Sequence, residues 1–462
     1  MNLIRLLLIG ASASVLAACA VGPAYHPPVE PPVSLTAADV RVSSAPAPRS
    51  WWTAFGDPEL DRLVERAAGA NLDVKLAITR LAEARAVFRE ANLDRAPHVT
   101  VGAEVSRGKA QSPGFSDQRV DIKQADIGFD AAWEIDLFGR VAHQVDAANA
   151  QAQASSADLD QVRITVAAEV ARNYLEFRGA QARRAVAEEN AAAQRDTVRL
   201  TEVRREIGAG DPVDLESARA RLAATESAVP LLRAAEAQAA YRLAVLVGER
   251  PGALDQELAA APAKASAPTA VPIGEASDFL RHRPDVAAAE RRLAAETART
   301  GAATADLFPR VSITGFVGFL TGDVADLFKS GSRAWSVSPA VSWPGLDLGS
   351  ARARLRGQEA RGDQALILYQ QAVLSAVEDL QNALVGYRER QTQVVSLSQQ
   401  VAASRRAADL AHIRFQEGTI DFLRVLDAER TRLDAEDGLA AAQTAANIQV
   451  VAIYKAMGGA GA

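Results

Sequence analysis

The sequence has few of the residues that enzymes and metal proteins depend on. It contains one cysteine, and its five histidines (positions 26, 98, 143, 282 and 412) show no ligand spacing. A single cysteine excludes both an intrachain disulfide and a cysteine metal cluster. The sequence contains no Ser/His/Asp grouping, phosphate-binding loop or HExxH motif. We therefore expect no enzyme, no metal and no other cofactor. The formal net charge of −6 does not favour a nucleic-acid partner.

Proline is also absent from two long stretches. Residues 140–206 contain no proline and one glycine, and residues 350–416 contain no proline. Each stretch predicts a helix of 67 residues, which is roughly 100 Å at 1.5 Å per residue. The mean helix of a globular protein has only about 11–12 residues. A protein with two such rods is expected to bridge a distance of about their length.

The same pattern occurs twice, which indicates an internal duplication. The matched landmarks, all 210 residues apart, are Trp133 and Trp343, Gly139 and Gly349, and Gly208 and Gly418. Each repeat predicts a helix, two strands, a long helix and a return helix. We assign residues 57–248 to repeat 1, residues 275–458 to repeat 2, and the Pro/Ala-rich residues 249–274 to a linker. The first helix is expected over 58–94, with a brief break at Asn71.

The predicted strands alternate between apolar and polar residues. Ile127, Phe129 and Trp133 lie on one face, and the acids on the other face include Asp126, Asp130 and Glu134. Apolar outside and polar inside is the pattern of a transmembrane barrel, and acids do not suit a dry core. We therefore predict that these three acids line a water-filled lumen. Residues 107–120 are expected to form the loop between the first two strands.

The strand count predicts an oligomer. Four strands in one chain cannot close a lipid-facing barrel, because an open edge leaves backbone groups without partners in lipid. Three chains give twelve strands, whereas two give eight, a barrel whose interior is filled by side chains. The predicted fold class is therefore a membrane α+β protein. A homotrimer shares the twelve-stranded barrel, and long coiled-coil helices form a second, helical barrel.

The start of the chain predicts export and a lipid anchor. Arg5 precedes an apolar run, and residues 1–18 are typical of a signal peptide. Residues 16–19, Leu-Ala-Ala-Cys, resemble a bacterial lipobox, which implies cleavage before Cys19 and acylation of its sulfur, including palmitate. Residue 20 is Ala and not Asp, so the usual signal for retention in the inner membrane is missing. This favours the outer membrane. Residues 19–56 are expected to form an extended tether. The alternative is a plain secretory signal with an incidental cysteine.

Seven segments together resemble the TolC/OprM-type outer-membrane factor family, in its NodT-like lipoprotein branch. They are residues 19–25, 51–58, 133–140, 283–286, 307–309, 343–347 and 425–428. The resemblance implies a homotrimer with a shared twelve-stranded barrel and a periplasmic helical barrel. It also implies a passive exit duct for drugs and toxic organic molecules in a tripartite efflux pump. The implied partners are outer-membrane lipid, an inner-membrane transporter of the RND type, and a periplasmic adaptor that docks on the helical tips.

The resemblance also implies a periplasmic gate near residues 425–428. Asp427 matches an acid of the family, but Arg424 stands where some members carry a second acid. We hypothesise that Arg424 and Asp427 form a latch within or between chains, with Leu423 and Leu426 as an apolar plug. The alternative is an ordinary solvated pair three residues apart.

The turns that follow the long helices are the predicted docking sites for the adaptor. Their key residues are Gly208 and Asp211 in repeat 1, and Gly418 and Asp421 in repeat 2. Two other functions fit the same pattern. One is a duct for type I polypeptide secretion, and the other is a purely structural lipoprotein, against which the amphipathic strands argue.

Overall fold

The computed structural model describes residues 20–29, 42–43, 45, 48–111, 119–259, 268, 270–273 and 279–459. The predicted signal peptide 1–18 and Cys19 lie outside these ranges. Contacts divide the chain into two units. The first contains the N-terminal segment up to residue 29, residues 80–156 and residues 288–371. The second contains residues 30–79, 157–287 and 372–462.

Seven helices and four strands form the main framework of the described residues. In chain order they are α1 (Pro58–Ala70), α2 (Leu72–Leu93), β1 (His98–Gln111), β2 (Arg119–Ile135), α3 (Arg140–Glu206), α4 (Pro212–Leu246), α5 (Pro284–Ala305), β3 (Arg310–Thr321), β4 (Arg333–Ser342), α6 (Leu348–Gln416) and α7 (Phe422–Ala456). Short helical pieces are Trp51–Phe55, Asp255–Leu258, Phe279–His282, Val324–Asp326, Ser330–Ser332 and Gly345–Asp347. Among the helices described, none is both long and apolar enough to cross a bilayer.

The first unit contains an antiparallel sheet with the strand order β1-β2-β3-β4. The prediction of four strands per chain is confirmed. The predicted loop at 107–120 is wrong at both ends, because residues 107–111 pair with residues 119–123 and extend both strands. Residues 107–111 alternate Arg, Lys and Gln with Gly108 and Ala110, so no large apolar side chain signals a strand there, but the hydrogen bonds of a ladder come from the backbone.

The long helices begin and end close to the predicted positions. Helix α3 covers 67 residues and α6 covers 69. Asp136 caps the start of α3, since its carboxylate accepts from the backbone N–H groups of Val141 and Ala142 at 3.1 and 2.7 Å. This satisfies two of the N–H groups that a helix start leaves without intrahelical partners.

In the second unit, the end of each return helix meets the start of another helix. Asn71 stops α1, and its side-chain oxygen accepts from the N–H groups of Asp73 and Val74 at the start of α2. Its Nδ2 donates to the carbonyl of Leu246, the last residue of α4, at 2.8 Å. In repeat 2, Arg283 likewise donates to the carbonyl of Ala456 at the end of α7, at 2.7 Å. Each repeat therefore joins two shorter helices end to end.

The segments predicted as tether and linker are partly packed. An extended tether is wrong for residues 51–55, which form a 3₁₀ helix with Trp51 buried and stacked on Tyr454 at 5.2 Å between ring centroids. The apolar area of these rings is removed from water, which an extended chain does not achieve. In the predicted linker, Leu254 and Leu258 are buried, and Val271 pairs with Val42 in a short parallel ladder.

Candidate functional sites on the sheet and at the helical tips

One face of the sheet is apolar and exposed. The register places Val101, Phe129, Val317 and Trp335 in one row across all four strands. Their exposed fractions run from 55% for Phe129 to 78% for Trp335. A row of large apolar side chains open to the surroundings across a whole sheet is typical of a surface that contacts lipid.

The opposite face carries the predicted lumen acids. Asp126 lies between Glu104 on β1 and Leu320 on β3, and Asp130 is exposed in the same strand. Glu134 is already paired, since both its oxygens accept from the guanidinium of Arg140 at 2.8 and 2.6 Å. This face therefore carries Asp126, Asp130 and Glu104 as acids without an ion pair among the described residues. The sequence analysis did not single out Glu104, although its alternation with Val105 was the available signal.

Two glycines on the polar face allow a phenylalanine ring to lie close against the strands. Gly128 and Gly318 are directly opposite in the register. A Cβ atom at Gly128 would lie 2.5 Å from the ring of Phe316 and 2.7 Å from the carbonyl oxygen of Val317. Strand glycines often mark such close approaches. The spacing of glycines in the sequence alone does not show which ring covers them.

The matched tryptophans of the two repeats perform the same task. The indole N–H of Trp133 donates to the carbonyl of Arg95 at 3.1 Å, and that of Trp343 donates to the carbonyl of Leu307 at 3.0 Å. Both acceptors lie just before a strand. Each tryptophan thus ties the end of one strand to the chain that enters its neighbour, with the ring partly exposed as in the aromatic girdle of a barrel.

The N-terminal segment lies against the junction between β2 and α3. The N–H of Val21 donates to the carbonyl of Phe138 at 3.1 Å, and Nε2 of His143 lies 2.9 Å from the carbonyl oxygen of Val21. Farther along, the hydroxyl of Tyr25 donates to Glu290, and the guanidinium of Arg291 lies over the tyrosine ring. The chain that follows Cys19 is therefore held at the point where the sheet becomes helix.

An apolar cluster holds the two hairpin tips together in the second unit. We call it the tip cluster, and its buried members are Ala218, Phe415, Phe422 and Val425. Leu426 packs against it, and the guanidinium of Arg204 lies 4.4 Å from the centre of the Phe415 ring. Side chains from α3, α4, α6 and α7 meet here. Of the two predicted plug residues, Leu426 thus packs against side chains of its own chain, whereas Leu423 is 58% exposed.

The predicted docking residues shape the two turns. Gly208 and Gly418 have φ values of 71° and 72°, the left-handed conformation that ends many helices. Asp211 and Asp421 cap the return helices, accepting from the N–H groups of Val213 and Arg424 at 2.8 and 3.0 Å. The two tips therefore share a helix-ending glycine in the left-handed conformation and an aspartate that caps the return helix.

Within one chain, Asp427 is bound by a different arginine from the one predicted. Its carboxylate accepts from Arg430 at 3.1 Å, and both side chains are well exposed. The guanidinium of Arg424 has no ion pair among the residues described. Leu423, Leu426, Asp427 and Arg430 line a groove of about 410 Å³ between α4 and α7. A contact between Arg424 and Asp427 of different chains stays a prediction.

Comparison with known proteins gives a consistent family. The profile described as "Outer membrane efflux protein" matches residues 63–249 and 276–459. The outer membrane protein OprJ of Pseudomonas aeruginosa is 30% identical over 97% of this chain and 94% of its own length. The solvent efflux pump outer membrane protein SrpC of Pseudomonas putida is 30% identical over 88% and 86%.

The fold is also that of a solved channel. The structure of the outer-membrane channel OprN superposes with a TM-score of 0.92 at 45% identity, covering 96% of this chain and 99% of that one. The profile matches the chain twice, at residues 63–249 and 276–459, which is consistent with an internal duplication. The duplicated fold class is thereby confirmed.

Proposed function

The chain belongs to the outer membrane efflux protein family, and from that premise we propose what it carries, how it is anchored and how its tips act. It is the outer-membrane exit duct of a tripartite efflux pump and not an enzyme. Three chains share one twelve-stranded barrel, and their helices extend into the periplasm. Its partners are a periplasmic adaptor and an inner-membrane transporter.

The observation that carries this function is the sheet itself. Its apolar row crosses all four strands, while β1 and β4 each lack a neighbour on their outer side within the described part of the chain. Unpaired strand edges are costly in lipid, and closure by further copies removes them. The acids on the other face then line water.

We propose that the cargo consists of small, largely apolar organic molecules. SrpC, which is named for solvent efflux, supports this class. Its name also favours efflux over the alternative of polypeptide secretion. The lumen acids Asp126 and Asp130 add a modest preference for cations.

We propose that Cys19 carries lipid, palmitate included, and anchors the chain at the inner leaflet of the outer membrane. The docking of residues 20–25 at the β2–α3 junction supports this, because it holds residue 20 beside Gly139, just after the end of β2. Intact-mass spectrometry of the membrane-extracted protein should show diacylglycerol and an acyl chain. The variant Cys19→Ala should lack both, whereas an unmodified Cys19 would overturn the anchor.

We propose that the adaptor docks on the turns at Gly208–Asp211 and Gly418–Asp421, and that the transporter is of the RND type. The equivalent backbone of the two turns supports sixfold docking on a trimer, since each chain offers two similar tips. The segments 57–248 and 275–458 remain our proposed repeat boundaries.

The first test is the assembly and conductance of the purified mature protein. We expect a heat-labile trimer in detergent that forms small, mostly closed ion channels in a planar bilayer. A monomer that conducts no ions would overturn the shared barrel and leave a structural lipoprotein as the better function.

A further inference from the structure

Each of the two helical hairpins in the second unit has an ion pair between its two helices at an equivalent position. The end of α3 pairs with α4 in repeat 1, and the end of α6 pairs with α7 in repeat 2. Arg195 of α3 donates to Glu226 of α4 at 2.7 Å, and Arg405 of α6 donates to Glu436 of α7 at 2.6 Å. Both partners are displaced by 210 residues between the hairpins. The duplication has therefore kept this bridge unchanged.

Seven residues closer to the tips, the two hairpins differ. In repeat 1, Arg219 of α4 donates to Glu202 of α3 at 2.8 Å. The residues 210 positions later are Glu429 of α7 and His412 of α6, whose Nε2 lies 2.6 Å from Oε1 of Glu429. The same position is thus bridged by a guanidinium, whose charge is permanent, in one hairpin and by an imidazole in the other.

The burial of Glu429 makes its contact with the His412 imidazole important for the stability of this hairpin. The Glu429 side chain is 4% exposed, and its second oxygen, Oε2, has no hydrogen-bond partner in the described part of the chain. A buried carboxylate that accepts few hydrogen bonds is stabilised mainly by the donor that it does contact. The other charged groups near His412 are Asp409 on α6, which favours the protonated ring, and Arg432 on α7, which opposes it.

Hydrogen bonding to Glu429 raises the pKa of His412 above its usual value, and partial burial only partly offsets this. A histidine whose pKa is raised by folding stabilises the folded contact most fully below its unfolded pKa, about 6.5. That stabilisation is lost as pH rises through the folded pKa. The contact between α6 and α7 is therefore tightest at acid pH and weakens at alkaline pH.

We propose that His412 and Glu429 form a proton-binding clasp that holds the second hairpin closed at low pH and releases it as pH rises, while the first hairpin stays fixed. The proposal rests on the proposed function, because it concerns how the tips of this exit duct are held. The proton is the ligand of this site, which differs between two otherwise matched hairpins.

The clasp lies beside the tip cluster on both helices. Phe415 follows His412 by three residues on α6, and Val425 precedes Glu429 by four residues on α7. Residues three or four apart share one face of a helix. Phe415 and Val425 are buried members of the tip cluster. Loosening at the clasp thus reaches the packing that joins the two hairpins.

Hydrogen exchange on the intact trimer in detergent tests the clasp, with the first hairpin as an internal reference. Exchange is followed at about pH 5.5 and about pH 8, on either side of the ordinary histidine pKa, and corrected for intrinsic rates. Protection of residues 405–436 should fall roughly two- to fivefold more than that of residues 195–226, the range for one ion pair.

Two variants sharpen the experiment. His412→Arg should keep the second hairpin protected at both pH values. The double variant Glu202→His, Arg219→Glu should give the first hairpin a pH response like that of the second. His98→Gln, which removes an exposed histidine at the start of β1, is the matched control and should leave the response unchanged.

Equal pH responses of the two hairpins in the wild type, or a response that survives in His412→Arg, would overturn the clasp. Conductance of the same trimer is recorded in parallel. A conducting trimer without the hairpin response refutes only the clasp. A protein that exchanges as expected but never conducts refutes the exit duct instead.

Discussion

Single residues on the polar face of the sheet set how closely its strands approach. Gly128 and Gly318 face each other beneath the ring of Phe316, and neither has room for a side chain. Backbone carbonyls close the space as well, since the oxygen of Val317 would lie 2.7 Å from a Cβ at Gly128. A side chain there forces strands to move, because a carbonyl in a ladder has no alternative rotamer.

We therefore expect Gly128→Val to destabilise the trimer by about 1–3 kcal/mol, the usual cost of overpacking. Gly108→Val is the matched control, because that glycine also lies in β1–β2 pairing but a Cβ there meets no atom within 4 Å. The temperature at which each trimer dissociates in detergent measures the effect. Equal dissociation temperatures for the two variants would contradict the close-packed arrangement.

For single residues, the sequence predicted on which face of the sheet a side chain lies, but not which side chain it pairs with. Alternation placed Glu134 correctly on the polar face, yet its pairing with Arg140 depends on the turn between β2 and α3. Likewise, no pattern joins His412 to Glu429, because that contact requires the register of two antiparallel helices. The 210-residue offset becomes informative only after Arg219 and Glu202 are known to touch.

At the scale of elements, the long helices were the most predictable part. Uninterrupted runs without proline permit one continuous hydrogen-bond ladder, so the predicted span of α3 matches the observed Arg140–Glu206. The strand ends were predicted poorly, because alternation marks only the part of a strand whose two faces meet different surroundings. Residues 107–111 carry no large apolar side chain on either face and still pair with residues 119–123.

The end-to-end helix junctions give a prediction for the second unit. Asn71→Ala removes a cap and leaves the Leu246 carbonyl without its donor, so we expect a loss of about 1–2 kcal/mol. Arg283→Met should cost at least as much, because Arg283 is buried and also pairs with Asp285. Thermal unfolding of the purified protein measures both losses.

Lys75→Ala serves as the control for that experiment, since it lies on the exposed side of the same first turn of α2. A substitution there should change stability by no more than about 0.5 kcal/mol. If Asn71→Ala behaved like Lys75→Ala, the junction would not be a stabilising contact.

The two faces of β2 give a second prediction at this scale. Phe129→Arg places a charge in the apolar row and should cost up to about 2–4 kcal/mol if the row lies in lipid. Asp130→Arg, one residue along on the polar face, should fold and insert nearly normally. The fraction of heat-labile trimer recovered after refolding into vesicles distinguishes the two, and similar recoveries would contradict the assignment of faces.

At the scale of the whole molecule, the number of chains decides which weak contacts have a measurable effect on gating. An exposed ion pair contributes about 0.3–1 kcal/mol, but a contact between chains occurs three times in a closed trimer. Within one chain, Asp427 binds Arg430, and the guanidinium of Arg424 has no ion pair in the described ranges. A partner for Arg424 across the trimer axis therefore fits both this arginine and the periplasmic gate that we predict.

We expect Arg424→Ala to raise the open fraction of single channels roughly five- to a hundredfold, because three contacts are lost together and their energies add. Asp427→Asn should have a similar effect, and the double variant should add little to either, since both remove the same contact. Arg199→Ala removes an exposed arginine of repeat 1 and should leave gating unchanged. Additive effects of the two tip substitutions, or unchanged opening in Arg424→Ala, would show that the tips close without this latch, and the tip cluster would then be the element that holds them.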